Sequence, residues 1–154
     1  MKKLLTLTLF VLASVIAFNG FAQPLAKRTV LDYQTMLSQA DSVKTAFEKQ
    51  GYSLSKSSSM NMESENELPV ILSLTEGTNY RIVFISDATS STSTVSMQDW
   101  NEKEVATKTQ TKNQSNIISY DYTAKGTEYH MIKPVQTNKS KNQVAGHFMI
   151  FKKS

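Results

Sequence analysis

Apolar residues recur at helical spacing near the start of the chain and at alternating, strand-like spacing over the rest of it. The helical set is Met36, Ala40, Val43 and Phe47. This spacing predicts an amphipathic helix over roughly 30–50, with Thr29 as its N-cap and residues 23–28 as a polar lead. Gly51 suits the position just after the helix, and Tyr52 can fold back on the last turn. The apolar face of such a helix needs a sheet to pack on.

The strongest strand signal is the run 80–86, which follows a turn at Gly77. This run is apolar on both faces, as are 128–133 and 144–151, and strands of this kind are buried on both sides. A sandwich covers only one face of each sheet. We therefore expect the helix to cover the second face of these three strands.

Shorter alternating segments surround these strands. They are 53–55 and 60–62 around a serine-rich link, 68–74, 94–98 after a loop at 88–94, a polar edge hairpin beginning at 99–103, and the inward row Ile118, Tyr120 and Tyr122. Seven to nine short strands with turns between them predict a mainly β fold, an antiparallel jelly-roll-like β-sandwich. Residues 23–51 and 52–154 then form one domain.

The first 22 residues have the pattern of a signal peptide. Lys2 and Lys3 precede an apolar run over 4–18, and Gly20-Phe21-Ala22 offers a small-residue cleavage site. Cleavage after Ala22 would place the protein in the periplasm or outside the cell. The alternative is an uncleaved membrane anchor, which the shortness of the apolar run disfavours.

Composition excludes several classes of function. The chain has 154 residues, no cysteine, two histidines and a net charge of +4. It therefore has no disulfides, no thiolate nucleophile and no cysteine-based metal site. The charge forms no basic stripe of the kind that binds nucleic acid, and we predict no cofactor.

Several short motifs resemble those of the pre-peptidase C-terminal (PPC)-like domains, which are small secreted bacterial sandwiches. The matching residues span roughly 65–153 and are Leu74, Gly77 and Tyr80 before a strand, Asp99 and Asn101 in a hairpin, Gly126 and Tyr129 at a strand entry, and Gly146, Phe148 and Ile150 in the last strand. Glu102 stands where the family prefers glycine. The resemblance implies a jelly-roll-like sandwich with an accessory, non-catalytic role.

The candidates for catalysis are His130 and His147, each in a strand. Serines are plentiful, and Asp87, Asp99 and Asp121 could complete a Ser-His-Asp arrangement. No Gly-x-Ser-x-Gly motif is present, and a histidine among strand apolars is more often a packed residue. The sequence predicts no catalytic residue, although a small secreted hydrolase stays an alternative.

Oxygen ligands for Ca²⁺ are too few to predict a metal site. Asp99, Asn101 and Glu104 lie close in sequence, but Asp and Asn at a hairpin turn are already explained by backbone geometry.

Charge is uneven along the chain, with an acidic excess over 63–104 and a basic excess over 105–154. Cross-strand complementarity explains this. The alternative is a basic end at Lys133, Lys139 and Lys141 that faces anionic envelope polymers.

The favoured candidate for contact with a partner is Trp100, the only tryptophan, which strand parity places outward at a hairpin tip. The alternative is that a bulge at the turn swings the indole over the end of the sandwich, where it would be a core residue. The candidate binding residues are Trp100, Asp99, Asn101, Lys139 and Lys141. The predicted function is a secreted or periplasmic binding module for a protein or glycan of the cell envelope, with no nucleic acid and no membrane span. A peptidase inhibitor presenting the 88–94 or 106–116 loop is a further alternative.

Overall fold

The computed structural model describes residues 23–140 and 143–154, and their side chains from Tyr33 onward. The chain divides into two units, Met1–Leu31 and Asp32–Ser154. The elements in the described part are α1 (Gln23–Glu48), β1 (Tyr52–Glu63), β2 (Val70–Leu74), β3 (Asn79–Ser86), β4 (Thr92–Gln98), β5 (Glu104–Thr111), β6 (Ile117–Thr123), β7 (Glu128–Thr137) and β8 (Gln143–Lys153). The predicted signal peptide and its cleavage site lie outside the described residues.

The strands form two antiparallel four-stranded sheets. We call the sheet with the order β1-β8-β3-β6 sheet A and the sheet with the order β2-β7-β4-β5 sheet B. Successive strands alternate between the sheets from β1 to β4 and again from β5 to β8, which is the wrapping of a jelly roll. The predicted fold class, a mainly β jelly-roll-like sandwich with one helix, is confirmed.

The core between the sheets is built from one face of each strand. It contains Leu74, Ile82, Phe84, Val95, Met97, Ile118, Ile132, Phe148 and Ile150, all of them almost fully buried. The ring of Phe84 in β3 lies directly against Gly146 of β8. Only glycine leaves room for this ring, because a Cβ at this position would lie 2.9 Å from two of its atoms.

A second apolar cluster lies on the outer face of sheet A. Met36 and Ala40 of α1 pack there on residues of β3 and β8, namely Val83, Ile85, Met149 and Phe151. The prediction that the helix covers the second face of β3 and β8 is therefore confirmed.

The end of the helix also follows the prediction. Gly51 has a φ of 80°, a left-handed conformation that glycine adopts without strain. The ring of Tyr52 returns to that of Phe47, with centroids 6.1 Å apart.

The predicted start of the helix is wrong, because α1 already begins at Gln23 and includes residues 23–28 and Thr29. Pro24 is tolerated in a first turn, where its missing N–H has no helical partner, and the residues after it are good helix formers. The threonine therefore does not cap the helix.

Two strand predictions also need correction. The segments 53–55 and 60–62 are one strand, β1, because its serines pair continuously with β8 apart from a bulge between Leu54 and Lys56. The predicted loop 88–94 is shorter, since β4 begins at Thr92, and most of 106–116 is strand.

The third correction concerns 128–133, which is not buried on both faces. This segment belongs to β7 in sheet B, whereas the helix packs on sheet A. Tyr129 on its outer face is 55% exposed. The apolar character of this strand therefore marks a surface and not a second core.

Candidate functional site

The outer face of sheet B carries large apolar side chains that are open to solvent. Trp100 is 69% exposed, Ile71 is 58% exposed, and Tyr129 also projects from this face. On sheet A, α1 covers the corresponding face of the central strands β3 and β8. Exposed aromatic residues that lie together on one face are typical of a binding surface.

The turn between β4 and β5 holds Trp100 at the end of this face. The Oδ1 atom of Asp99 accepts hydrogen bonds from the backbone N–H groups of Asn101 (2.9 Å) and Lys103 (3.0 Å). Glu102 adopts a φ of 61°, a left-handed conformation that a glycine would take more easily. Because the turn fixes its own backbone through Asp99, the indole is left free to project outward.

Trp100 makes its aromatic contact with Tyr129 of β7. The two ring centroids lie 6.1 Å apart and the ring planes are inclined by 46°. Ile71 of β2 pairs with Met131 of β7 in the next row of the sheet. These four residues, Trp100, Tyr129, Ile71 and Met131, form what we call the aromatic patch.

Rows of hydroxyl side chains continue the face away from the aromatic patch. The cross-strand rows are Lys133–Ser96–Thr107, Val135–Thr94–Thr109 and Thr137–Thr92–Thr111. In the middle row the hydroxyls of Thr94 and Thr109 hydrogen-bond each other at 2.9 Å. We call these three rows the hydroxyl rows.

The face has little charge. Within its strands the charged side chains that point outward are Lys133 and, at the hairpin end, Glu104. The ammonium of Lys133 lies 3.3 Å from a carboxylate oxygen of Glu67, so its charge is already paired.

The structure brings together three of the five predicted binding residues. Trp100, Asp99 and Asn101 share one turn, and the predicted exposure of Trp100 is confirmed, although its role in binding stays a prediction. Lys139 follows the far end of β7, about 27 Å along the strand from Tyr129. Lys141 lies outside the described residues.

Sequence reasoning missed Tyr129 and the hydroxyl rows. The sequence pattern places Tyr129 in a strand buried on both faces, and it predicts only a polar edge for the threonines. The alternation Thr107, Thr109, Thr111 was visible in the sequence. The sequence does not show which strands lie beside these threonines in the sheet.

His130 is buried in the sandwich near the aromatic patch. Its Nε2 atom lies 3.0 Å from the hydroxyl of Tyr122 and 3.8 Å from a carboxylate oxygen of Glu128. Its Nδ1 atom has no hydrogen-bond partner among the described residues. Burial, with the charges of Glu128 and Asp99 nearby, raises the pKa of Tyr122. A fully enclosed imidazole has no open side for a substrate, so this geometry favours a packed histidine.

His147 lies on the outer face of sheet A between two serines of β1. Its Nε2 lies 2.8 Å from the hydroxyl of Ser57 and its Nδ1 lies 2.8 Å from that of Ser59. Burial lowers the pKa of His147, and the charge of Asp41 opposes this effect. A Ser-His-Asp triad needs a carboxylate on the second ring nitrogen, where a serine stands instead.

Two of the aspartates considered for a Ser-His-Asp arrangement have structural partners. Asp87 accepts hydrogen bonds from Thr89 and from the backbone of Ala145, and Asp121 pairs with Arg81. In the described part of the chain, no three histidine or acidic residues are grouped to hold a metal ion. Likewise, no helix among the residues the structure describes is long and apolar enough to span a membrane.

Comparisons with known proteins give little to identify the chain. No family model matches it, and no curated protein matches it. A solved structure described as "CBM4 structure and function" is 13% identical, with a TM-score of 0.41, and the match covers 64% of this chain and 74% of that one. This similarity is too low to assign a function. The resemblance to pre-peptidase C-terminal-like domains stays a prediction.

Proposed function

We propose that the protein is a non-catalytic binding module, and that its ligand-binding surface is the outer face of sheet B around Trp100. The observation that carries this proposal is the contact between Trp100 and Tyr129, two exposed aromatic rings held together on an uncovered sheet face. Rigid aromatic side chains bury a large area on binding at low entropic cost, and they dominate the energetics of many interfaces.

The arrangement of the two sheets supports this assignment. α1 already covers the central strands β3 and β8 on the outer face of sheet A, where Met36 and Ala40 are buried. A jelly roll can bind through either outer face, and in the described residues sheet B presents exposed aromatic rings. The hydrogen bonds to Asp99 fix the backbone of the turn that carries Trp100 before the ligand arrives, which lowers the entropy lost on binding.

The contacts of the two histidines support a non-catalytic role over the hydrolase alternative. His130 is enclosed in the core, and both ring nitrogens of His147 face serines rather than a serine and a carboxylate. Labelling with a fluorophosphonate probe tests this directly. We expect no labelling of the pure protein, and labelling that disappears in Ser57→Ala would favour the hydrolase.

We further propose that the module acts in the bacterial cell envelope or outside the cell, after cleavage behind Ala22. The support is the sequence pattern of residues 1–22. Mass spectrometry of the protein isolated from cells should find Gln23 as the first residue. A chain that still begins at Met1 in the envelope fraction would contradict this.

The binding face can be tested before its ligand is known, because the chain has no cysteine. A single cysteine at Thr109, on the outer face of sheet B, can be coupled to a bulky polyethylene glycol maleimide. A matched control carries the same label at Lys49, an exposed residue near the end of α1. The assay measures retention of labelled envelope material on the immobilised protein.

We expect retention to be lost when Thr109→Cys carries the label and kept when Lys49→Cys carries it. Trp100→Ala should also lose retention, whereas Tyr33→Ala, which removes an exposed ring from α1, should not. Equal retention by all four proteins would contradict the proposed surface.

A further inference from the structure

We propose that the outer face of sheet B binds an uncharged polysaccharide chain, which stacks a sugar ring on Trp100 and Tyr129 and runs along β4 and β7 over the hydroxyl rows. The inference rests on the proposed function and names the chemical class of its ligand. Three properties of the face carry it, namely the aromatic patch, the hydroxyl rows and the balance of charge.

The aromatic patch matches the flat, C–H-bearing face of a sugar ring. Trp100 and Tyr129 present two ring faces at an inclination of 46°, and each ring also has a polar N–H or O–H group at its rim. Such rings combine a large apolar surface with a hydrogen-bonding group. A sugar ring has the same combination, with C–H groups on its faces and hydroxyls around its edge.

The hydroxyl rows match the edge of the sugar chain. A threonine or serine hydroxyl both donates and accepts, as a sugar hydroxyl does, so each can pair with the other in either direction. Alternate residues of a strand lie about 6.6 Å apart. Gln98 pairs with Met131 of the aromatic patch, and the three hydroxyl rows that follow it end at Thr92, so they extend the site by about 20 Å beyond the patch. This length accommodates several sugar rings in an extended chain.

The outer face of sheet B has few charged side chains, which favours a neutral ligand. Lys133 is paired with Glu67 at 3.3 Å, and Glu104 lies at the margin beside the hairpin. On the outer face of the strands an anionic polymer would meet no unpaired cation. The turn beside Trp100 adds two carboxylates, Asp99 and Glu102, and one ammonium, Lys103, so it offers no excess of positive charge. Lys139, which could attract an anion, lies beyond the far end of β7.

The strand propensity of threonine explains only part of this pattern. Threonine is common on strands, but an exposed edge strand such as β5 typically carries charged side chains, lysine above all. The hydroxyl rows contain one charged residue, Lys133, and end at two exposed aromatic rings. A protein partner is less well matched, because protein interfaces have a more apolar centre than the hydroxyl rows provide.

Affinity electrophoresis tests the ligand class with named polymers. The native protein is run through gels that contain hydroxyethyl cellulose, laminarin, galactomannan or soluble starch, and through gels that contain the anionic polymers alginate or polygalacturonate. We expect retardation by at least one neutral polymer and none by the anionic ones. Trp100→Ala and Tyr129→Ala should each weaken binding about tenfold or more.

A double variant probes the hydroxyl rows separately. Thr94→Val with Thr109→Val removes both partners of one hydrogen bond, so no hydroxyl is left unpaired and the strands keep a β-branched residue. We expect this variant to keep its melting temperature and to bind the neutral polymer several-fold more weakly. Tyr33→Ala, on the helix, should bind as the wild type does.

The outcomes separate this inference from the proposed function. No retardation by any neutral polymer overturns the inference, and so does binding that the Thr94/Thr109 variant leaves unchanged. Retention of an anionic polymer or of a protein that still depends on Trp100 overturns the inference and leaves the proposed binding surface standing. Binding of any ligand that does not depend on Trp100 or Tyr129 overturns both.

Discussion

Replacement of Phe47 by alanine should destabilise the protein clearly, because this ring joins the end of α1 to sheet A. The ring packs edge-on against Phe151, with centroids 5.2 Å apart and planes at 82°. The guanidinium of Arg81 lies over the same ring, 4.7 Å from its centroid, and over the ring of Tyr52 at 4.6 Å. The substitution removes the contacts of this ring with Phe151 and Arg81, whereas the contact of Arg81 with Tyr52 remains, and it shortens the apolar face of the helix.

The magnitude follows from partial burial. A fully buried Phe→Ala substitution costs about 3–5 kcal/mol, and the partial exposure of Phe47 reduces the transfer component to about half of that. The lost contact with Phe151 adds about 0.5–1.5 kcal/mol. We therefore expect a loss of about 2–4 kcal/mol, which for a unit of this size lowers the melting temperature by about 8–16 °C.

The assay is thermal and urea unfolding followed by circular dichroism. Lys49→Ala, two residues further along and exposed, is the matched control and should change stability by no more than about 0.5 kcal/mol. A double-mutant cycle with Phe151→Leu should show coupling between the two rings. If Phe47→Ala and Lys49→Ala had the same melting temperature, the helix would not be packed on sheet A and the argument for sheet B as the free face would fail.

Two further predictions concern the sheets. Gly146→Ala places a Cβ 2.9 Å from the enclosed ring of Phe84, so it should lower the free energy of unfolding, measured with urea, by about 1–3 kcal/mol. If this loss and that of Phe84→Leu simply added in the double variant, the clash would be contradicted. Two hydrogen bonds from Arg81 lower the pKa of Asp121 in the folded protein. The stability that this pair contributes is therefore present above the pKa of Asp121 in the unfolded chain, and it is lost as the pH falls through the pKa in the folded protein. Because Asp121 is partly exposed, the wild type should be only slightly more stable than Asp121→Asn. This difference in stability should shrink between about pH 5 and pH 2. A difference that grows on acidification would refute the assignment.

Local patterns were sufficient to predict the helix face and most of the sandwich. The spacing of Met36 and Ala40 places them on one side of α1, and the apolar runs of β3 and β8 predict burial on both faces. The turn at Asp99 followed from the preference of aspartate for accepting backbone hydrogen bonds in turns.

The sequence did not reveal which sheet each strand joins, and the errors follow from this. β3, β7 and β8 have similar apolar content, but β3 and β8 join sheet A under the helix, whereas β7 joins sheet B. The pairing partners of β7 are far away in the sequence, so no local period records them. For the same reason the pattern places Tyr129 in a strand buried on both faces, whereas the ring lies in contact with Trp100 on the surface.

The early start of α1 has a different cause. A capping box at Thr29 is a local signal, and it competes with the favourable helix propensity of the residues before it. The helix continues through Thr29 to Gln23 because no residue in between prevents it.

The central claim is that Trp100 stands exposed on a preformed surface and is covered when the ligand binds. As the only tryptophan it reports on this surface without labelling. In the free protein, we expect emission close to that of tryptophan in water and ready quenching by acrylamide. Titration with the retained neutral polymer should shift the emission to shorter wavelength and protect the indole from quenching. Blue-shifted, protected emission in the free protein, or emission that saturating polymer leaves unchanged, would contradict the claim.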